Sequence, residues 1–236
     1  MMKKLVLASA LVLSMTILSG TAWADNITIV NPSFDTTPGT LTPNCSLGGP
    51  TCAFNFGPIA GWTTTGGQGG YWLPGSYFPG LPAGDLIGYV NSAGSLSQTL
   101  TGNSVLANSI YTLSLSVGDR AIDTLSGGYT LSLDTIVGGV TTTLCSFTGN
   151  ASTIGRGMFQ VEGCTYTSPS SVPSGNLFLQ LTANSGQLDV DNVSLTVQSA
   201  TTNVPEPSSV LLLSVGMLFL IGTLMVRRKK ELQLTA

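Results

Sequence analysis

Four aromatic side chains crowd into one glycine- and proline-rich stretch, GGQGGYWLPGSYFPGLPAG, at residues 66–84. Tyr71, Trp72, Tyr77 and Phe78 supply flat apolar faces of the kind that stack on sugar rings, and Gln68 and Asp85 stand nearby with groups for sugar hydroxyls. Such a density of Gly and Pro predicts a long surface loop. Two roles fit that loop. It could bind a sugar, or it could fold back so that its aromatics plug an open end of the core; in sequence the two look alike. Trp62 follows Ile59-Ala60-Gly61 in a strand-like run and reads as a core residue.

Other chemistries are excluded by what the chain lacks. It has no histidine in 236 residues, which removes Ser-His-Asp and Cys-His catalysis, imidazole metal sites and imidazole proton shuttles. A carboxylate pair of the glycosidase kind is the remaining catalytic option. Between residues 25 and 203 there are nine acids: Asp25, Asp35, Asp85, Asp119, Asp123, Asp134, Glu162, Asp189 and Asp191. Nine acids always allow some pair, so the expectation is a protein that is not an enzyme. Against them stand only Arg120 and Arg156, leaving this segment at −7 while the whole chain is at −3. Such a surface repels nucleic acid and anionic lipid and is compatible with neutral glycans and calcium.

The four cysteines, Cys45, Cys52, Cys145 and Cys164, all fall in the same segment. An even count in an exported chain points to two disulfides, with three possible pairings. Cys45–Cys52, closing a Pro/Gly loop, and Cys145–Cys164, tying two neighbouring strands, are the favoured set. The second closes a loop of about 20 residues, worth ~3 kcal/mol. A zinc site is the alternative, but no Cys-x-x-Cys spacing supports it.

The elements that must position these residues read as strands. Tyr111, Leu113, Leu115 and Val117 alternate with Thr112, Ser114 and Ser116; Tyr129, Leu131 and Leu133 alternate with Thr130, Ser132 and Asp134; Leu177, Leu179 and Leu181 repeat the period. Period two in short runs, with Gly, Ser, Asn and Pro between them, predicts half-buried antiparallel strands. Val137-Gly138-Gly139-Val140 predicts a tight hairpin. Near the end, Leu188 and Val190 share one parity and Val193, Leu195 and Val197 the other, which predicts a bulge at Asp191-Asn192. No helical period occurs in residues 25–200. The fold class expected is all-β, a two-sheet antiparallel sandwich of jelly-roll type.

Targeting segments flank this sandwich. Lys3 and Lys4 precede an apolar run from Leu5 to Leu18, and Ala22-Trp23-Ala24 has the small-x-small pattern of a signal peptidase site. Residues 1–24 are therefore expected to be a signal peptide removed by signal peptidase, with Asp25 the new N-terminus. At the other end, residues 201–207 form a linker ending in Val204-Pro205-Glu206-Pro207. Ser208 to Val226 is uncharged over 19 residues, which as a helix spans ~30 Å, a bilayer core. Arg227, Arg228, Lys229 and Lys230 follow, so residues 227–236 are expected as a cytoplasmic tail and the sandwich outside.

Pro-Glu-Pro, apolar span and basic cluster, in that order at the C-terminus, resemble the PEP-CTERM sorting signal of Gram-negative bacteria. The ELQLTA tail is slightly longer than the usual abrupt end. The resemblance implies recognition by exosortase, cleavage near the Pro-Glu-Pro, and company with exopolysaccharide at the cell surface or in the extracellular matrix. Before processing, the C-terminal helix anchors the chain in the inner membrane.

A second resemblance covers residues 27–197. ITIVNPSFDT, IAGW, SLSQTL, SIYTLSLSVG and LDVDNVSLTV, in this order, look like the galactose-binding-like sandwich of secreted carbohydrate-binding modules. It implies a jelly roll whose first and last strands meet, often around a structural calcium. The matching positions are Asp35 and Asp191, and the expected bulge would let Asp191 turn toward such an ion. The bland alternative makes Asp35 a turn cap and Asp191 a solvated strand residue. Together the readings describe an exported, non-enzymatic protein that binds or organises polysaccharide. The alternatives are an adhesive matrix component without glycan recognition and a carboxylate hydrolase.

Overall fold

Alternation of apolar and hydroxyl side chains builds the long strands among the thirteen found in the described residues. The computed structural model describes residues 24–200 apart from 37–38, 44, 46–48, 50, 82–84 and 173, and beyond them Met217 alone. The expected signal segment except Ala24, including Ala22, lies outside the described residues. So do the Val204–Pro207 motif, the apolar span except Met217, and Arg227–Lys230. Among the described residues, no helix is long and apolar enough to cross a membrane.

The strands are β1 (Asp25–Asn26), β2 (Thr42–Pro43), β3 (Ala53–Asn55), β4 (Thr63–Thr65), β5 (Gly69–Leu73), β6 (Ile87–Asn91) and β7 (Ser95–Ser104). Then follow β8 (Ser109–Asp119), β9 (Gly128–Val137), β10 (Val140–Asn150), β11 (Met158–Thr167), β12 (Asn176–Ala183) and β13 (Gln187–Ser199). One sheet runs β11-β8-β13-β6-β5-β3-β2, with β1 also paired to β13; the other runs β10-β9-β12-β7-β4. Neighbours are antiparallel throughout. The all-β two-sheet sandwich expected from the pattern is the observed architecture.

The main core lies between the sheets. Leu113, Leu115, Leu131, Leu133, Leu179 and Leu181 are all buried there, on the parities that the alternation predicts. Trp62 joins them and stacks on Phe34 with ring centroids 5.4 Å apart. The β9–β10 hairpin turns through Gly138 and Gly139, whose φ of 58° and 83° suit the right-handed twist of the strands. The bulge in β13 falls between Asp191 and Ser194, with Asn192 at φ 51°. Beside it, Val193 N–H donates to the Pro32 carbonyl at 2.9 Å, docking the N-terminal segment on the bulge, and Asp25 pairs with Val197.

Both expected disulfides are present, Cys45–Cys52 and Cys145–Cys164. The second joins β10 and β11, which are not hydrogen-bonded neighbours but edge strands of the two different sheets. It therefore closes one open side of the sandwich.

Residues 66–81 depart from expectation. They are not one long surface loop. β5 crosses the segment as an interior strand between β6 and β3, and buries Tyr71 and Trp72 on opposite faces. Its glycines mark close packing: a Cβ on Gly70 would collide with the Asn55 carbonyl. After β5 the chain turns back through a 3-10 turn at Gly75–Tyr77 and lays Tyr77 and Phe78 over the outer face of the larger sheet. There Trp72, Tyr77, Phe78, Ile87, Tyr89 and Cys52 form a second, smaller core.

Candidate functional site

The outer-face core has an opening. A cavity of about 280 Å³ lies over β3, β5, β6 and β13, with Phe54, Trp72, Tyr89, Asn91 and Gln187 rising from those strands. Tyr77, Cys45 and Phe56 border it, as do Arg120, Asp123 and Leu125 from the loop after β8. Phe56 and Leu125 are 56% and 52% exposed, so the rim is apolar and open to solvent.

Arg120 organises the site. Its guanidinium carbon sits 4.4 Å from the Trp72 ring centroid and 4.3 Å from that of Tyr77. Desolvated cation–π contacts of this kind are worth ~2 kcal/mol each. Nη1 pairs with Asp123 at 3.1 Å, and Nε lies 3.8 Å from Asp189 Oδ2. The residue is only 6% exposed, a position a cation holds only when it is paired. The loop is fixed from outside as well. Arg156 Nη1 donates to the carbonyls of Ala121 at 3.3 Å and Asp123 at 2.9 Å, and Ser126 Oγ accepts from Arg120 N–H at 2.9 Å. Both cations of the −7 segment therefore converge on this one loop.

Asp189 lies fully buried beneath Arg120, beside Tyr89 in the neighbouring strand. Burial pushes its carboxyl up to about 6, while Arg120, the 2.6 Å hydrogen bond from Gln187 Nε2 and the Trp72 indole pull it back. Trp72 Nε1, Arg120 Nε and Asp189 Oδ2 are buried together, yet none closes a hydrogen bond of good geometry. The carboxylate is shielded by Arg120 and does not line the cavity.

Of the aromatic stretch, Trp72 and Tyr77 meet in this cavity but as buried rings, not as an exposed surface. Tyr71 is on the inter-sheet side, where its hydroxyl donates to the Gly39 carbonyl and accepts from its N–H, both at 3.1 Å. Gln68 is outside the cavity, as is Asp85. Sequence reasoning missed Phe56, Tyr89, Arg120, Asp123, Gln187 and Asp189. The one available signal was scarcity: with two cations in the segment, each was a candidate for a special role.

Asp85 belongs instead with Asp35 and Asp191. Asp191 is pushed up to about 7, first by burial and then by the charges of Asp35 and Asp85, against the pull of the Asn192 N–H. Both Asp191 oxygens already accept from Asn192, at 2.7 and 2.9 Å, and Asp35 accepts from Leu86 N–H at 3.3 Å. The mutual repulsion fits a cation. The carboxylates are not drawn into a ready-made cage, and among the described residues no group of three or more acidic, Cys or His ligands could hold a metal.

Residues 25–196 match the HpiC1-like family, described as HpiC1 cyclase. The chain belongs to that family. Residues 203–229 match the PEP-CTERM protein-sorting motif, so this is an exported protein of the Gram-negative kind, sorted through exosortase at the membrane. Among solved structures, the apo form of a cyclase from Fischerella sp. shares the fold at a TM-score of 0.61 and 21% identity, covering 76% of this chain and 98% of that one. The CBM22-1 xylan-binding domain of Paenibacillus barcinonensis Xyn10C aligns at 0.49 and 13% identity, over 78% of this chain and all of that one. A CBM4 structure aligns at 0.44 and 15% identity, over 72% of this chain. No curated protein is similar to the chain in sequence at a significant level.

Proposed function

We propose that this is a non-enzymatic surface or matrix protein whose jelly-roll sandwich binds extracellular polysaccharide at the Arg120 cavity. Signal peptidase removes residues 1–24, the apolar span 208–226 holds the chain in the inner membrane, and exosortase then releases it near Pro205-Glu206-Pro207. The observation that carries the reading is Arg120 itself. A domain poor in cations buries one of them over the paired rings of Trp72 and Tyr77, at a solvent-open cavity that also presents Asp123, Asn91 and Gln187. Aromatic walls with a few placed polar groups suit a polyhydroxylated ring. Calcium, if bound, would sit with Asp35 and Asp191 and relieve the repulsion there, away from the cavity.

The test is retention of purified protein on the host's exopolysaccharide. Trp72 is too buried to serve as a clean probe, so the variant is Phe56→Ala at the rim. Phe56 packs edge-on against Phe54 and Tyr89, with centroids 4.8 and 6.2 Å apart. Losing these contacts costs ~1–2 kcal/mol, so we expect at least tenfold weaker retention with cooperative melting at a modestly lower temperature. Equal retention by both proteins would place polysaccharide binding on another surface, and no retention of either would move the function to adhesion.

Asp189 favours a second reading, acid catalysis. It is a buried carboxyl lifted toward neutrality in a chain of a family described by a cyclase. Its seat beneath Arg120 speaks for a structural role instead, because a substrate would have to displace the guanidinium to reach it. Asp189→Asn separates the two: an enzyme loses product formation while ligand retention persists.

A further inference from the structure

We infer that the cavity selects uncharged sugars, and that the carboxamides of Asn91 and Gln187 are the groups that meet their hydroxyls. The inference rests on the polysaccharide-binding reading above and concerns the class of sugar and the residues that choose it.

The first argument is the state of the charges. Among the described residues that line the cavity, only Arg120 and Asp123 are charged. They pair with each other at 3.1 Å, while the guanidinium lies over the rings of Trp72 and Tyr77 with Asp189 beneath it. Two carboxylates therefore share one guanidinium, and the floor is negative on balance once Asp189 is ionised. Arg156 stands outside the lining, and residues 25–203 hold no third cationic side chain. A uronate, sulfate or phosphate brought into the cavity would meet like charge with no cation left to pair it. The same arrangement works against an ammonium group. The rings and carboxylates that suit a cation already hold Arg120.

The second argument is what the lining still offers. Tyr89 gives its hydroxyl to the Asn55 carbonyl at 3.4 Å, and Tyr77 turns its hydroxyl to Asp123. Gln187 and Asn91 are directly opposite each other in the register of β13 and β6, so their side chains stand next to each other on the outer face. Gln187 gives Nε2 to Asp189 at 2.6 Å and keeps Oε1 as an acceptor. The Asn91 carboxamide makes no hydrogen bond to a described residue, and the side chain is half-buried, held by the strand yet open to the cavity. Together the two amides present donors and acceptors side by side. Sugar hydroxyls, each a donor and an acceptor at once, are their complement. A neutral amide makes that match without the cost of desolvating a charge.

The experiment uses the full chain in detergent, immobilised, with the host's exopolysaccharide as probe. The polymer is separated by anion exchange into neutral and acidic fractions, and part of the acidic fraction is treated to reduce its carboxyls to alcohols. Each is applied at low and at high salt. We expect the neutral and the reduced material to be retained equally at both salt concentrations, and the untreated acidic fraction to pass through. Asn91→Ala should weaken retention of the neutral material roughly tenfold, as for the loss of one hydrogen-bonding group, and Asn91→Asp by more, with both variants melting cooperatively. If the acidic fraction is held as well as its reduced form or better, the inference is overturned while polysaccharide binding stands. Equal retention of neutral material by wild type and both variants overturns the assignment of Asn91. If cooperatively melting wild type holds no fraction, the polysaccharide reading itself fails and the inference with it.

Discussion

The space between the two sheets and the patch on the outer face of the larger sheet are both buried and both rich in large side chains, yet they are assembled by different means. Between the sheets, apolar side chains at period two from β8, β9, β12 and the two halves of β13 interlock, and β5, β6 and β7 add Tyr71, Val90, Leu96 and Leu100. On the outer face, β5 and β6 supply Trp72, Ile87 and Tyr89, while their cover comes from turns and loops: Tyr77, Phe78, the Cys45–Cys52 link and the Arg120 loop. The first region is apolar and filled. The second is aromatic, contains a buried ion cluster and retains a cavity. A sheet face that would otherwise be solvated has been converted into a site by covering it, and the polar groups that face solvent in an ordinary sandwich, Asp189 among them, are enclosed as a result.

Breaking the ion cluster should have the largest effect on this contrast. Arg120→Ala leaves Asp189 and Asp123 without their cation, and removing one partner of a buried pair costs ~3–5 kcal/mol. Leu133→Ala in the main core should cost a similar ~2–5 kcal/mol. The two differ in where the loss appears. Leu133→Ala should lower hydrogen-exchange protection throughout both sheets, whereas Arg120→Ala should strip it first from residues 71–91 and 118–126. Uniform loss in both variants would mean that the cap and the sandwich are one cooperative unit.

The same contrast explains what could be read in advance. Leu131, Leu133, Leu179 and Leu181 announced their strands because a two-sided sheet surface imposes period two. The change of parity from Val190 to Val193 announced the bulge for the same reason. The outer-face site has no period. Trp72 follows four glycines and a glutamine and precedes Leu-Pro-Gly, so composition pointed to a loop, although Gly70 is there because Asn55 passes too close for a side chain. Asp189 sat on the outward parity of an apolar strand, where a charge is normally solvated. Nothing local reported that a turn some 110 residues earlier would cover it.

The disulfides offer a comparison of similar design at smaller cost. Replacing Cys145 and Cys164 by alanine releases a closure between the two sheets, with an expected loss of ~3 kcal/mol and no change in ligand retention. Replacing Cys45 and Cys52 opens a shorter loop, for which the chain-entropy estimate is ~2.5 kcal/mol, but Cys45 borders the cavity and should affect retention as well. Thermal melts and retention of the two double variants, side by side, check the assignment. Loss of retention in the Cys145/Cys164 variant would tie the site to the sandwich edge instead.

Proton linkage separates the outer face from the inner one again. Asp189 and Asp191 stand at about 6 and about 7 in the folded chain, against 3.8 for an ordinary carboxyl. The folded state therefore binds more protons than the unfolded one between roughly pH 4 and 7. That contribution to stability is full below 3.8 and is lost as pH rises through the two folded values. The melting temperature should be higher at pH 5 than at pH 8; Asp189→Asn should remove the smaller part of the difference and Asp191→Asn the larger. If calcium occupies the Asp35–Asp191 site, added calcium should restore stability at pH 8 and a chelator should remove it. A melt that rises with pH would show that these two carboxyls are not held above their ordinary value.

Arg156 provides the finest probe of the contrast. It is exposed, touches no ring of the cap and lies outside the cavity, yet it holds the Ala121 and Asp123 carbonyls of the loop that carries Arg120. Exposed hydrogen bonds of this kind contribute about 1 kcal/mol or less, so Arg156→Gln should barely move the melting temperature. Ligand retention should fall by severalfold nonetheless, because the loop wall that positions Asp123 and Leu125 loses its outer clamp. Both bonds leave the single nitrogen Nη1, so Arg156→Lys, whose ammonium can donate to two carbonyls, should recover most of that loss. Full retention in Arg156→Gln would show that the loop is fixed from within, by Arg120 and its two rings, and that the second cation of the domain has no part in the site.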